Sequence, residues 1–132
     1  MSRGLLDTSV VIVLGEEGGL GERLPEEIAI STATLAELHF GVLIAKDDFS
    51  RQYRLRRLGV IEATIQPLSV DPSVARAFGT VSHAVKAMGR QPRSRAMDLL
   101  IAATALAHGL PLYTRNGEDF EGLQQLIDVR TV

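Results

Sequence analysis

The chain has 132 residues, 45% of them hydrophobic and 23% charged, which is the size and composition of a single compact domain spanning 1–132. It contains no cysteine, which excludes a disulfide framework, a zinc–thiolate site and a cysteine nucleophile. A net charge of −2 argues against a protein that lives on non-specific attraction to nucleic acid, so any such contact must come from local basic patches.

Gly4-Leu5-Leu6-Asp7 is a short apolar run ending in a carboxylate and reads as a buried strand. Val10 to Leu14 reads as a helix start capped by Thr8 or Ser9, and is far too short for a membrane span or a signal peptide. Residues 15–26, rich in Gly and Glu, read as a loop or frayed helix. Residues 27–31 form a second strand. Thr34-Leu35-Ala36-Glu37 has capping-box spacing, and Leu35, Leu38, Val42 and Ala45 continue in helical register.

Residues 49–63 predict an amphipathic helix whose Arg51, Arg54, Arg56 and Arg57 form a solvated or partner-facing side. Ile65 to Val70 reads as a third strand. Asp71-Pro72 then starts a helix running to about Met88, with Asp as cap and Pro in the first turn. Gly89 to Arg95 is a basic loop. Asp98 to His108 is the most apolar helix, stopped by Gly109 with Pro111 beyond. Residues 112–114 and 127–131 complete the strands.

Strands alternating with helices predict an α/β fold, a three-layer α/β/α sandwich around a central, mostly parallel sheet. In such sheets function gathers at the carboxyl ends of the strands. Asp7 ends the first strand, Thr114 and Asn116 follow a late one, and Glu37 and Asp98 lie near helix starts at the same edge.

Each acid has a structural explanation of its own. Asp7 is a good cap for the helix that follows it, and Glu37 sits where a capping box would bond it to the Thr34 backbone N–H. Asp98 opens a helix too apolar to be peripheral, and the roughly 0.3–1 kcal/mol a first-turn carboxylate gains from the helix dipole is small against burying its charge. Together the three need more. Two carboxylates about 4 Å apart repel by roughly 4 kcal/mol at an effective dielectric near 20. No lysine or arginine adjoins Asp7 or Glu37 in their apolar segments. A divalent cation is the natural compensation, and all-oxygen ligation selects Mg²⁺ or Mn²⁺. Such an ion activates water and stabilises charge on a phosphate, giving 5′-phosphate and 3′-hydroxyl products from a phosphodiester.

Around the trio stand residues open to two readings. Thr8 positions a metal water or phosphate, or caps a helix. Thr114 and Asn116 belong to a polar cluster whose Asn116-Gly117 is also a turn signal. Asp119 is a further ligand or the cap of a last short helix. Arg90, Arg93 and Arg95 contact RNA phosphates or are simply solvated. His39, His83 and His108 lack metal-ligand spacing.

Four segments in order carry a family resemblance: Leu5-Leu6-Asp7-Thr8-Ser9; Ser31 to Leu38 followed by Gly41-Val42; Asp98 to Ala105; and Thr114-Arg115-Asn116 with Asp119-Phe120. The chain resembles the PIN-domain family, in particular the VapC-type toxins of toxin–antitoxin pairs. The resemblance implies a PIN fold, a Mg²⁺- or Mn²⁺-dependent endoribonuclease, a cytoplasmic setting, a cognate VapB-like antitoxin, an RNA substrate such as tRNA, and a homodimer. Asp7, Glu37 and Asp98 fall on the family's three principal acidic positions, with Asp7 and Asp98 implied as direct ligands and Glu37 as a ligand or water-holder. Asn116 stands where the family often has a fourth acid, and supplies an amide oxygen without charge.

Three rivals remain in view. A receiver-type signalling domain needs a late lysine, but the last one here is Lys86. A haloacid-dehalogenase-type phosphatase needs Asp two residues after its nucleophile, where Ser9 stands. A catalytically silent PIN-like module binding RNA or protein is disfavoured by the intact trio.

Overall fold

The computed structural model describes residues 2–14, 16 and 20–132. Four short strands, β1 (Arg3–Leu6), β2 (Glu27–Ala29), β3 (Leu112–Thr114) and β4 (Val129–Thr131), form an all-parallel sheet in the order β2-β1-β3-β4. Parallel pairing puts every carboxyl end on one edge.

The side-chain alternation of strands divides the core into two layers. Leu5 and Leu112 face α4 (Pro72–Ala87) and α5 (Ala96–His108), packing with Val74, Val81, Leu99 and Ile101. Leu6 and Tyr113 face the opposite way, toward α1 (Thr8–Val11), α2 (Thr32–Leu43) and α3 (Asp48–Thr64), and meet Val10, Leu38, Val42 and Leu58. The three-layer sandwich read from the sequence is the observed fold. Gly4 is required where β1 passes β3, because a Cβ there would overlap the Tyr113 ring.

The helix boundaries follow their caps. Asp71 accepts from the Val74 N–H with Pro72 in the first turn of α4. Gly109 ends α5 in the left-handed region, at φ 62°, which lets Leu110 N–H reach the Ala105 carbonyl.

Several boundaries differ from the sequence reading. Ile65–Val70 is not a strand: only Leu68 pairs, in a parallel bridge to Ser31. Leu68 donates its N–H to Ile30 and accepts from the Thr32 N–H, and the pairing stops there because its partner chain turns into α2 at Thr32. Helix α2 begins at Thr32 under a Ser31 cap, not at Thr34. Asp7, rather than Thr8 or Ser9, caps α1. Of the expected 15–26 loop, Gly21–Arg23 forms a 3₁₀ turn, and residues 15 and 17–19 lie outside the described residues.

Candidate active site at the carboxyl edge of the sheet

Asp7 leaves β1 at the sheet's carboxyl edge and is buried. Its Oδ1 accepts from the Ser9 hydroxyl at 2.6 Å and the Val10 N–H at 3.2 Å, and its Oδ2 from the Thr114 hydroxyl at 2.5 Å. Both hydroxyls are aimed. Ser9 Oγ accepts from the Arg115 N–H and Thr114 Oγ1 from the Asn116 N–H, each at 3.0 Å, which leaves each hydroxyl proton for the carboxylate. Bonds of this charged kind contribute about 1.5–3 kcal/mol apiece. They orient Asp7 but leave its negative charge uncompensated.

Glu37 lies in the interior of α2, well past the Ser31 cap, and its carboxylate does not reach back to a Thr34 N–H. The capping-box role is corrected: Glu37 Oε1 accepts from the Thr8 hydroxyl at 2.6 Å, across the gap between α1 and α2. Thr34, buried beneath, stands 3.2 Å from the same hydroxyl.

Asp98 lies in the first turn of α5 and caps nothing, since Arg95 holds the cap position and makes no side-chain cap bond. Burial first, and then the charges of Asp119, Glu37 and Asp7, together push its carboxyl up to about 6, with only Arg95 opposing. These four carboxylates therefore feel one another across one crevice. Asp119 sits inside a 3₁₀ turn, Gly117–Phe120, rather than at its cap, and its carboxylate lies 3.9 Å from the Arg95 guanidinium.

The basic loop divides. Arg93 and Arg95 line a cavity of about 320 Å³ together with Glu37 and Asp98. Arg95 also donates to the Asp119 carbonyl at 2.7 Å. Arg90 instead pairs with Glu121 at 3.3 Å and does not line that cavity. Asn116 joins the edge through its backbone, and its side chain is exposed. On α3, Arg54 and Arg57 are half-buried and donate to the Gly41 and Ile12 carbonyls, so of the solvated and partner-facing readings of that side the solvated one does not describe these two. From sequence, Ser9 is only a candidate cap. The Asp-Thr-Ser run at a strand end is the available signal that it serves Asp7.

Among the described residues no three acidic or histidine side chains stand close enough to close a cage around one ion. The donor chemistry nevertheless suits a hard cation. All the candidates are oxygen donors, and Asp98 carries the imprint of three neighbouring carboxylates. Mg²⁺ keeps most of its waters and needs only one or two carboxylates, so an open acidic crevice fits it better than a closed cage would.

A parallel sheet with acidic residues gathered at its carboxyl edge defines the class, and a family profile described as "PIN domain" matches residues 4–125. The chain belongs to the PIN-domain family. Within it, the likeness is to the VapC proteins. The chain is 37% identical to Ribonuclease VapC5 of Mycobacterium tuberculosis (strain ATCC 25618 / H37Rv), over 98% of this chain and 93% of that one. It is also 37% identical to Ribonuclease VapC8 of Mycobacterium tuberculosis (strain CDC 1551 / Oshkosh), over 77% and 89% respectively. In three dimensions it superposes with a TM-score of 0.81 on a crystal structure of VapBC-5 from Mycobacterium tuberculosis, a member of the VapBC family of toxin–antitoxin systems. That match is 34% identical and covers 100% of this chain and 98% of the other.

Proposed function

We propose that the protein is a Mg²⁺- or Mn²⁺-dependent endoribonuclease, the toxin of a VapBC-type pair, which hydrolyses RNA phosphodiester bonds at the Asp7–Glu37–Asp98 crevice. The observation that carries this reading is the convergence of the Asp119, Glu37 and Asp7 charges on the half-buried Asp98. Fold and relatives support the ribonuclease class.

Asp7 and Asp98 would hold the ion, with Glu37 as ligand or water-holder. When bound, the ion supplies an activated water and stabilises charge on the phosphate. The chain's own groups do the rest. Ser9 and Thr114 hold the Asp7 carboxylate in one orientation, and Thr8 does the same for Glu37. Arg93 and Arg95, on the wall of the same cavity, supply positive charge to a phosphate. Asn116 offers an uncharged amide at the fourth corner, and Asp119 modulates the field at Asp98.

The reading extends to a cytoplasmic homodimer neutralised by a VapB-like antitoxin, with RNA such as tRNA as substrate. Among the described residues no helix is long and apolar enough to cross a membrane. The test is cleavage of mixed cellular RNA by purified protein, with the cut ends mapped. Cleavage with Mg²⁺ or Mn²⁺ that leaves 5′-phosphates and stops in EDTA is expected. Cleavage that persists in EDTA, or none with either metal, overturns the assignment, and in the second case points to a silent binding module.

A further inference from the structure

Ser31 and Thr104 are both fully buried, and their hydroxyl oxygens stand 3.0 Å apart. Ser31 follows β2 and caps α2, accepting from the Ala33 N–H at 3.1 Å. Thr104 lies in α5 among Ala102, Ala103 and Ala105, and its hydroxyl donates to the Leu100 carbonyl at 2.7 Å. A hydroxyl has one proton to give. With that of Thr104 committed to Leu100, the Ser31 proton serves the contact between the two, and both side chains are satisfied.

The contact joins the two helices that carry acids of the crevice. Glu37 is on α2, which packs on one face of the sheet, and Asp98 is on α5, on the other. Among the described residues this is the only hydrogen bond between α5 and α2 with its cap. Ser31 stands six residues before Glu37 and Thr104 six after Asp98, each separated from its carboxylate by roughly 9 Å of helix rise. Both carboxylates line the crevice and repel each other there, since the charge of Glu37 is among those that raise Asp98. That repulsion works to part the two helices.

Stability alone does not call for a hydroxyl at 104. Threonine forms helix less readily than alanine. Its bond to the carbonyl four residues back would satisfy it without Ser31, and the alanines around it show that apolar side chains pack at this level. What the hydroxyl adds is a fixed distance from α5 to the start of α2. Resting on the ribonuclease reading, we propose that Ser31 and Thr104 are positioning residues, a buried brace that sets the separation of Glu37 and Asp98 and thereby the affinity of the crevice for a divalent cation. A displacement of only about 1 Å matters at such a site.

The test measures Mn²⁺ binding to the full chain without RNA, by the electron paramagnetic resonance of the free ion, beside the melting temperature in EDTA. Thr104→Val keeps the shape and loses the hydroxyl, and is expected to bind Mn²⁺ about tenfold more weakly, the lower end of what losing an outer contact to a metal ligand costs. Ser31→Gly breaks the same contact from the other side while leaving a competent cap. It should show a similar loss, and it carries the test if Thr104→Val does not fold. The double variant should lose no more than either single one, because one interaction is removed in all three. Thr104→Ser keeps the hydroxyl and drops a buried methyl, so it should melt below wild type yet bind Mn²⁺ as wild type does. Wild-type affinity in folded Thr104→Val and Ser31→Gly overturns the proposal, and so does a loss in Thr104→Ser equal to that in Thr104→Val, which would make packing the cause. Wild type that binds no Mn²⁺ is a separate result: it overturns the metal assignment, and the brace falls with it.

Discussion

Replacing Asp98 by Asn should stabilise the metal-free protein while abolishing metal-dependent cleavage, and the size of the gain follows from the site. Burial and the charges of Asp119, Glu37 and Asp7 lift the Asp98 carboxyl from 3.8 to about 6. That displacement is worth about 3 kcal/mol. Asp98 remains partly exposed, and solvent screening reduces the figure to about 1–2 kcal/mol. A carboxyl whose folded value is raised contributes its stability below about pH 4, where it is protonated in both states, and loses it as pH rises through about 6. The substituted amide would not titrate. Variant and wild type should therefore melt together near pH 4 and separate by about 3–8 °C above pH 7. Mg²⁺ should stabilise wild type by mass action and leave the variant unmoved, closing the gap. Calorimetry at about pH 4 and 7.5, in EDTA and in Mg²⁺, reads all of this. A variant less stable than wild type at the higher pH in EDTA, or a difference that does not change with pH, would refute the crowding of charge at Asp98.

Thr114→Val removes the donor to Asp7 Oδ2 and leaves the Asn116 N–H without its acceptor. It should destabilise by about 1–3 kcal/mol and raise the half-saturating Mg²⁺ of cleavage about 10–100-fold. A metal titration with unchanged midpoint would count against Thr114 as the residue that orients Asp7. Replacing Arg93 and Arg95 by Ala should flatten the salt dependence of RNA binding by about one to two in log–log slope. Arg90→Ala, in which only the pairing with Glu121 is lost, should leave the slope alone. Equal slopes for all three proteins would remove the loop from the RNA interface.

The layers of the fold were legible because their signals are local and agree with one another. Asp71-Pro72 and Gly109 bracket helices that the structure draws within a residue or two of expectation, and Leu5 and Leu6 send one side chain into each layer. The expected third strand failed for a reason that hydrophobicity cannot express. Residues 65–70 are apolar enough for a strand, but Pro67 confines them to the sheet's edge, and their neighbour there turns into α2 at Thr32, one residue past the bridge, so Leu68 pairs alone.

The site was legible as a set of acids and illegible as a set of roles, because role depends on partners that are distant in sequence. Glu37 satisfied every local criterion of a capping box. What decides against that role is Ser31, one turn too early for it, and a hydroxyl 29 residues away on Thr8. Asp7 does cap its helix, as its local sequence allowed, and the same carboxylate also accepts from Thr114, 107 residues on. Capping therefore does not exhaust Asp7: one oxygen takes the helix N–H and Ser9, and the other is held by Thr114. The chemical consequence is sharper than the charge argument from sequence. Asp7 and Glu37 are met by neutral hydroxyls rather than by lysine or arginine, so their orientation is fixed by the protein while their charge is not neutralised by it. Arg95 alone opposes the rise at Asp98, and it is shared with Asp119. A crevice with orientation built in and neutralisation left out is what a hydrated divalent cation completes.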